Sequence, residues 1–340
     1  MPRLRRSDLR GPGIERRRTG RGFAYRYADG QRVTDPDTLA RIRALVLPPA
    51  WTDVWICPWP NGHIQAVGTD ARGRRQYRYH DAWRLRRDAE KFDHMVDFAR
   101  ALEDLRATVD EHLAEPGLTR QRVLACSVRL LELGLFRIGS ESYAEENETF
   151  GLATMRRRHV TFDGDSATFD YRGKSGKQHT QTVTDGPVVA VLRALKDRRG
   201  RGRELLGWED EGRWVDLKST DINQYLKEQT GRAITAKDFR TWNATVLCAV
   251  FLARCGEQAA SNRQVSAAVK AVAEQLGNTP AVCRKSYIDP RIIDRASHGG
   301  CGAVAAALRR VDGEDALAIV RMVEPAVLDA LGVDEERLAS

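Results

Sequence analysis

RRHVTFDGDSATFDYRGKSGKQHTQTV, residues 157–183, alternates apolar with polar side chains on either side of two glycine-containing turns. Such alternation is typical of half-buried strands, and the first turn, Asp163-Gly164, is a strong hairpin signal. The second turn lies at 173–176, where glycines stand on both sides of Lys174 and its neighbour. The stretch therefore predicts a three-stranded antiparallel sheet that carries Lys174 at the tip of its second hairpin.

The Gly-Lys-Ser triplet at 173–175 also matches the end of a phosphate-binding P-loop. A P-loop of the Walker A type needs a glycine six positions before the lysine, and Thr168 stands there. The loop also joins two predicted strands, whereas a P-loop joins a strand to a helix. A nucleotide site is therefore disfavoured. Lys177 could be either a backbone phosphate contact or a solvated charge.

The chain changes character near residue 80. Residues 23–80 hold short runs of alternating aromatic, β-branched and polar residues between Gly, Pro and Asp turns. From Asp81 onward, apolar residues recur at helical spacing without Pro or Gly as far as Leu113. We predict an α+β fold in four parts: a mobile basic arm (1–22), a small β-rich N-terminal domain (23–85), a larger mainly α-helical domain with the three-stranded insert (86–310), and an acidic helical tail (311–340).

Charge is distributed unevenly along the chain. Residues 1–22 contain eight arginines and two acids, whereas residues 311–340 contain eight acids and two arginines. The net charge of +8 favours a polyanionic partner, although charge alone does not define a fold or a reaction. The arm is either a solvated tail or a segment that tracks the polyanion, and we expect the acidic tail to face away from it.

The remaining composition excludes several classes of protein. The six cysteines have no C-x-x-C spacing, and the seven histidines have no metal-ligand spacing. We therefore expect no metal and no cofactor. No apolar stretch reaches the ~18 residues of a membrane span, and the N-terminus lacks an apolar signal core. We expect a cytoplasmic protein without a membrane partner.

RGRRQYRYHDAWRLRR, residues 72–87, interleaves seven arginines with Tyr77, Tyr79 and Trp83. Arginine binds phosphates and tyrosine stacks or donates to backbone oxygens, which is the combination that nucleic-acid binding needs. The alternative is a solvated helix start held by salt bridges. Asp81 is the one acid within the stretch, so we favour nucleic acid.

Four ordered motifs then carry a resemblance to a family. In order and spacing they resemble the type IB DNA topoisomerases of the poxvirus and bacterial kind, and RRQYRY (74–79) extends the likeness, which covers roughly residues 30–295. The resemblance implies relaxation of supercoiled DNA through a 3′-phosphotyrosyl intermediate, without ATP or metal. The motifs are LFRIGSESYAEENETFGLATMRRRHV (135–160), YRGKSGK (171–177), KDFRTW (237–242) and LGNTPAVCRKSYIDP (276–290).

The resemblance assigns a role to each of five residues. Tyr287 matches the nucleophile, and Lys174 matches the lysine that protonates the leaving 5′-oxygen. Arg137 and Arg240 match the two arginines that hold the scissile phosphate. Asn278 stands where poxvirus and eukaryotic members have histidine. An amide can still donate a hydrogen bond to a phosphate oxygen, but it cannot carry a charge.

Each residue also has a plainer interpretation when it is taken alone. Arg137 could interact with a helix C-terminus, and Tyr287 could be a half-buried packing residue. Asn278 could be the N-cap of a helix that begins at Pro280. The chemistry nevertheless suits these residue types, because fixed cations stabilise the charge that develops on a phosphate during in-line displacement.

The resemblance further implies a monomeric, nucleoid-associated enzyme whose two lobes clamp double-stranded DNA. The β-rich domain then binds DNA, and residues 86–310 form the catalytic domain. The DNA contacts that we expect are Arg74, Arg75, Gln76, Tyr77 and Tyr79 in the first lobe, with Tyr143 and Lys237 in the second.

Two other functions compete with this one: a tyrosine site-specific recombinase and a non-catalytic DNA-binding nucleoid protein. Recombinases usually have His-x-x-Arg around the second arginine, whereas this chain has Lys237-Asp238-Phe239-Arg240. Recombinases also usually begin with a helical domain, whereas this N-terminal region is β-rich. The presence of arginines, lysine and tyrosine together argues against a protein that only binds.

Overall fold

A computed structural model of the protein describes residues 3–141, 144, 148–199, 202–256, 258–310 and 316–332. The chain divides into two compact units, Met1–Asp93 and His94–Ser340, and the division falls inside helix α2 (Asp81–Leu113). Within the described ranges, no helix is long and apolar enough to cross a membrane. The first unit is built on a β-sheet and the second is mainly helical, so the predicted α+β class is confirmed.

The N-terminal unit is a five-stranded antiparallel sheet in the order β2-β1-β3-β4-β5. Helix α1 (Pro36–Ala44) begins at the N-cap Asp35, whose carboxylate accepts the Thr38 N–H at 2.8 Å. A small core, centred on Ile14, Ile42 and Ile56, lies on the side of the sheet that α1 covers. The strands are β1 (Ile14–Thr19), β2 (Gly22–Tyr27), β3 (Thr52–Ile56), β4 (Ile64–Thr69) and β5 (Arg75–Tyr79).

The predicted basic arm is not a free tail over its described residues. Strand β1 lies inside the sheet, between β2 and β3, and its Ile14 is fully buried. Arg16 lies over the ring of Phe23 and donates hydrogen bonds to three backbone carbonyls. Arg5, nearer the N-terminus, lies 3.7 Å over the ring of Trp59. The prediction of a mobile arm was wrong because Ile14 is buried in the sheet, and because the guanidinium groups of Arg5 and Arg16 make cation–π contacts with aromatic rings.

The second unit contains the three-stranded sheet that the opening stretch predicts, in the order β6-β7-β8. Its strands are β6 (Val160–Asp163), β7 (Ser166–Arg172) and β8 (Gln178–Thr184), all antiparallel. Gly173 donates to the carbonyl of Lys177 at 2.7 Å and closes the second turn. Ser175 has φ 64° in this turn, a left-handed value that is rare outside glycine.

Helices pack against this sheet. Helix α3 (Arg120–Gly134) begins at the N-cap Thr119, whose hydroxyl accepts the Arg122 N–H. A second, two-stranded sheet pairs β9 (Gly207–Asp210) with β10 (Arg213–Asp216). The other described helices are α4 (Gly186–Asp197), α5 (Ser219–Thr230), α6 (Ala236–Arg254), α7 (Asn262–Leu276), α8 (Pro280–Ser286), α9 (Pro290–Ser297), α10 (Gly302–Leu308) and α11 (Ala316–Ala330).

Helix α6 runs through the core of this unit and is held by a buried charge network. Its Trp242 is fully buried and donates to Glu324 of α11 at 2.7 Å. Arg106 of α2 donates to Glu324 and also to Glu132 of α3. Glu324 belongs to the acidic tail, and its carboxylate is buried in the core of this unit.

Candidate active site

The cavity that contains most of the predicted catalytic residues has a volume of about 420 Å³. Arg137, Lys174, Arg240 and Tyr287 all line it, and Lys237 lies beside them. These side chains come from four separate segments of the chain. Among the described residues that line the cavity there is no acid, so the cavity suits an anion. Its remaining walls are Ile138, Gly139, Ser140, Thr149, Phe150 and Ala236.

Arg137 lies where two backbone segments, 137–139 and 151–153, cross. Arg137 and Ile138 accept hydrogen bonds from the amides of Leu152 and Ala153, both at 2.8 Å. At the crossing, a methyl group on Gly151 would lie 2.7 Å from the carbonyl oxygen of Arg137. The two segments therefore approach closely enough to exclude any side chain at Gly151, and this contact fixes the backbone that carries Arg137.

Arg240 lies in the second turn of α6 and is 4% exposed. It donates to the carbonyl of Leu135, and to the carbonyl of Leu276 at 2.8 Å, while its Nε has no partner within the described part of the chain. Leu135 ends α3 with φ 54°, which turns its carbonyl towards the guanidinium. Burial, with the charge of Arg137, lowers the pKa of Arg240 to about 10, so the group remains a cation at neutral pH.

Tyr287 directly follows α8, and its amide donates to the carbonyl of Cys283 at 2.9 Å. The guanidinium of Arg240 lies 5.6 Å from the centre of its ring. Burial alone would raise the pKa of the phenol, but the charges of Arg240 and Arg137 outweigh it and lower that pKa. A phenol with a lowered pKa forms its phenolate more readily, which activates it as a nucleophile.

A second tyrosine near the same arginines has the opposite environment. Tyr171 on β7 is buried, and its hydroxyl donates to Gln181 at 2.7 Å. Burial raises the pKa of Tyr171 to about 12, although Arg240 and Arg137 act against the rise. Proximity to arginine is therefore not sufficient to lower the pKa of a tyrosine. The lowered pKa distinguishes Tyr287 from Tyr171.

Asn278 is tied to the arginine pair, although it does not line the cavity. Its Oδ1 accepts a hydrogen bond from Arg137 at 2.6 Å, and its Nδ2 is buried without a partner. The N-cap interpretation is wrong, because the N-cap of α8 is Thr279, whose hydroxyl accepts the Val282 N–H. The Nδ2 group of Asn278 therefore donates to no group within the described residues.

Lys174 reaches the cavity from the tip of the β7–β8 hairpin and is exposed. Glycines at 173 and 176 stand on either side of its turn, and Gly176 has φ 73°. The predicted strand-turn-strand setting is confirmed, so Lys174 does not lie in a P-loop. An exposed lysine on a turn can approach a ligand atom that the buried Arg240 and the half-buried Arg137 do not reach.

Two family models match parts of this chain. A model of the eukaryotic DNA topoisomerase I catalytic core matches residues 80–297, and a model of the bacterial DNA topoisomerase IB N-terminal domain matches residues 22–70. The chain belongs to the type IB DNA topoisomerase family. It is therefore a DNA-binding isomerase, and all five predicted catalytic residues lie in the part that matches the catalytic core.

Relatives of this topoisomerase span most of its length. The DNA topoisomerase 1B of Acanthamoeba polyphaga mimivirus is 30% identical over 285 residues, 81% of this chain and 85% of that protein. The DNA topoisomerase 1B of Vaccinia virus (strain Copenhagen) is 22% identical over 287 residues, 79% and 88% of the two chains. A solved complex of the XerH site-specific recombinase has a TM-score of 0.37, 14% identity and coverage of 58% and 50%, a likeness too slight to carry an argument.

The expected DNA contacts in the N-terminal unit of the topoisomerase cluster on β5. The rings of Tyr77 and Tyr79 are stacked with centroids 6.1 Å apart, and Tyr77 is 41% exposed. Gln76 instead donates to Asp70 at 2.9 Å. Arg74 pairs with the same aspartate at 2.8 Å, whereas Arg75 is exposed. Tyr143 lies outside the described residues.

The salt-bridged interpretation of residues 72–87 holds in part. Arg86 and Arg87 both pair with Glu90, which lies just beyond the stretch. Arg78 and Arg84 approach Asp81 within 4 Å. Exposed pairs of this kind contribute little to stability, so these arginines can exchange their acids for phosphates.

Sequence reasoning missed His179, which lines a small cavity with Lys174, Arg137 and Arg240. No spacing rule picks out a histidine on a strand, so the motif search passed over it. Its place is evident from Gly277, where an added methyl group would lie 2.2 Å from the imidazole. Among the described residues, no group of three His, Cys, Asp or Glu side chains could hold a metal ion.

A further histidine near the cavity predicts a pH dependence of stability. The ring of His159 packs on Phe150, 4.6 Å between centroids, and its Nδ1 accepts the Arg156 N–H at 3.1 Å. Burial, with the charges of Arg158 and Arg156, lowers the pKa of His159 to about 4. As pH falls, the imidazole of His159 is protonated in the unfolded state near pH 6.5, but in the folded state only near pH 4. The free energy of unfolding therefore declines between about pH 6.5 and about pH 4.

Urea unfolding of His159→Phe between pH 4 and 8 checks this expectation. The variant should lack the part of the acid-induced loss that His159 contributes, even if it is less stable at pH 7. His298→Asn is the control, because His298 is exposed. An unchanged pH dependence in His159→Phe would contradict the assignment.

Proposed function

We propose that this topoisomerase relaxes supercoiled DNA by cutting and resealing one strand through Tyr287. The phenol oxygen attacks the scissile phosphorus, so a Tyr287–phosphate bond forms and the bond to the 5′-oxygen breaks. The phenol proton passes to solvent, and the leaving oxygen takes a proton from Lys174. The convergence of Arg137, Lys174, Arg240 and Tyr287 in one cavity, whose described lining residues include no acid, carries this proposal.

The two arginines stabilise the negative charge that develops on the non-bridging oxygens. Arginine suits this role because its planar fork binds two oxygens and keeps its charge. Arg240 is held by two carbonyls and loses little freedom when it binds a phosphate. Asn278 supplies its unpaired Nδ2 to a phosphate oxygen, or supports Arg137 through Oδ1, in place of the family's histidine.

Lys174 completes the reaction by protonating a poor leaving group. A deoxyribose alkoxide is strongly basic, so general acid catalysis contributes about 10²–10⁴-fold. The phosphotyrosyl ester keeps the energy of the broken phosphodiester, and resealing by the 5′-hydroxyl therefore requires no ATP. Two arginines and one lysine then supply the positioning and the positive charge at the site.

The proposal extends to how the enzyme engages its substrate. A monomer contacts one duplex with both of its units, the N-terminal one through the stacked pair Tyr77 and Tyr79 and the second through Lys237. The exposed ring of Tyr77 and the place of Lys237 beside Arg240 support these contacts. Phosphate contacts dominate such an interface, which provides positioning with little base readout.

Trapping of the covalent intermediate tests the mechanism. Duplex DNA labelled at one end is incubated with the enzyme in EDTA without ATP, and the reaction is stopped with denaturant. We expect protein attached to the 3′ end of the broken strand, and relaxation of supercoiled plasmid under the same conditions. Mass spectrometry of the DNA-linked peptide should identify Tyr287.

Four results would contradict the proposal. Attachment at the 5′ end would reverse the polarity of the reaction, and dependence on ATP or a divalent metal would require a different mechanism. Exchange between two defined sites without general relaxation would indicate recombinase activity. Binding without any cleavage would indicate a protein that has lost catalysis.

A further inference from the structure

His179 is the second residue of β8 and lies directly opposite Tyr171 of β7. The two rings are stacked, with centroids 5.6 Å apart and planes inclined by 18°. Because Tyr171 is buried, the stack anchors the imidazole to the base of its own hairpin. The same hairpin carries Lys174 at its tip.

The imidazole occupies a slot between two glycines from distant parts of the chain. A methyl group on Gly173 would lie 2.5 Å from Cδ2 of His179, and one on Gly277 would lie 2.2 Å from Cε1. Gly277 ends α7 with φ 64° and needs glycine for that reason as well. Gly173 has φ −99°, which any residue can adopt, so the space taken by the ring is what excludes a side chain there.

The slot connects the hairpin to the rest of the active site. Gly277 follows Leu276, whose carbonyl accepts the hydrogen bond from Arg240 at 2.8 Å. His179 and Lys174 line one small cavity together with Leu276 and Arg240. The imidazole is therefore the spacer between the hairpin and the turn that holds a phosphate-binding arginine.

The charge state of the ring agrees with a packing role. Burial lowers the pKa of His179, and the charges of Arg137, Arg240 and Lys177 lower it further. The imidazole is thus neutral at physiological pH. A neutral ring can pack among cations without repelling them, whereas a charged ring would oppose their convergence on one phosphate.

We propose that His179 is a positioning residue for Lys174. Its ring separates Gly173 from Gly277 and so sets the distance between the hairpin tip and the arginines. Lys174 directly follows Gly173, and the next residue, Ser175, is held at φ 64°, so a shift at Gly173 moves the lysine. The inference rests on the proposed function, because it requires Lys174 to be the acid for the leaving oxygen.

A DNA substrate with sulfur in place of the bridging 5′-oxygen at the cleavage site isolates this role. When Tyr287 attacks, the phosphorus–sulfur bond breaks and the thiolate leaves with the electron pair. A thiol has a pKa near 8.5, far below that of an alcohol, so the thiolate leaves without protonation. A defect that acts through Lys174 should therefore disappear on the sulfur substrate, whereas a defect in phosphate binding should remain.

His179→Ala is expected to slow single-turnover cleavage of the oxygen substrate by about 10- to 100-fold, the effect of misplacing a catalytic group. The same variant should cleave the sulfur substrate within about three-fold of the wild-type rate, because no proton transfer is needed. His179→Phe keeps a ring in the slot and should retain most of the oxygen rate. Thr180→Ala, an exposed neighbour on β8, should leave both rates unchanged.

Gly173→Ala tests the same slot from its other side. The added methyl group should displace the ring, slow the oxygen substrate and leave the sulfur substrate near the wild-type rate. Added to His179→Ala, it should slow the oxygen substrate by less than about two-fold more, because the slot is then empty. Multiplied losses in the double variant would overturn the inference.

Other outcomes also overturn it. Equal losses on both substrates, in His179→Ala or Gly173→Ala, would indicate a general structural role. A His179→Phe enzyme as slow as His179→Ala would show that a ring nitrogen is required. If Lys174→Ala is not restored by sulfur, the acid role itself fails, and that result is obtained independently of the His179 variants.

Discussion

Tyr287→Phe is expected to abolish DNA cleavage while the protein still folds and binds DNA. In the proposed mechanism the phenol oxygen forms the covalent bond, and removal of a nucleophile lowers turnover by a factor on the order of 10⁶ in other covalent enzymes. The phenyl ring can still occupy its half-buried place at the end of α8, and the backbone bond to Cys283 does not involve the side chain.

Tyr171→Phe is the matched control. Tyr171 lies near the same two arginines, but its pKa is raised to about 12 and its hydroxyl donates to Gln181. Its loss should leave cleavage near the wild-type rate and lower the free energy of unfolding by about 1 kcal/mol, the usual contribution of one hydrogen bond.

Denaturant-stopped cleavage of labelled duplex, together with binding at equal salt, measures both variants. Residual covalent complex in Tyr287→Phe would assign the nucleophile to another residue. Loss of DNA binding in that variant would mean that the phenol contributes to the ground state as well as to the transition state. Loss of cleavage in Tyr171→Phe would remove the distinction that the two pKa shifts provide.

The β6-β7-β8 sheet was predictable because its signals are local. Alternation sets which side chains face the core, and the turn residues set where each strand ends. Asp163 pairs with Ser166, so the two turn residues are Gly164 and Asp165, one position later than the Asp163-Gly164 turn that the sequence predicts. The position of Lys174 at a hairpin tip is therefore determined by the 27 residues of the stretch 157–183.

The predictions that failed depended on composition or on a narrow window. The arm was judged by its arginines, yet buried Ile14 and the packing of Arg16 on Phe23 decide its structure. Asn278 is a good N-cap residue by type, but Thr279, one position nearer the helix, takes that place. Glu90 pairs with two arginines from just outside the basic stretch.

The site itself depends on contacts that no local pattern reveals. The cavity brings together residues more than one hundred positions apart, and their order in the motifs indicates membership of a site without indicating its geometry. The slot around His179 and the contact between Gly139 and Gly151 are long-range packing features. In the sequence they leave only single glycines, which are also common in turns.

Gly151→Ala is the second change with a large expected effect. A methyl group there would lie 2.6 Å from both Cα and N of Gly139 and 2.7 Å from the carbonyl oxygen of Arg137. All three are backbone atoms, so relief requires the two crossing segments to separate and weakens the Leu152-to-Arg137 hydrogen bond. Gly151 has φ −142°, which alanine adopts freely, so the effect comes from space alone.

We expect the substitution to lower the free energy of unfolding by about 3 kcal/mol, the upper range for overpacking, as measured by urea unfolding. Cleavage should fall by about 100-fold, because Arg137 moves relative to Arg240. In an Arg137→Ala background, Gly151→Ala should lower the cleavage rate little further, since the residue that it displaces is already gone.

Gly302→Ala is the matched control for this change. Gly302 is the first residue of α10 and does not have a positive φ, and no atom of the described residues lies within 4 Å of an added methyl group. Alanine favours helix more than glycine does, so stability should be unchanged or rise by up to about 1 kcal/mol. Wild-type stability and cleavage in Gly151→Ala would mean that the two crossing segments can separate without a cost in free energy. The position of Arg137 would then have to be set by its hydrogen bond to Asn278.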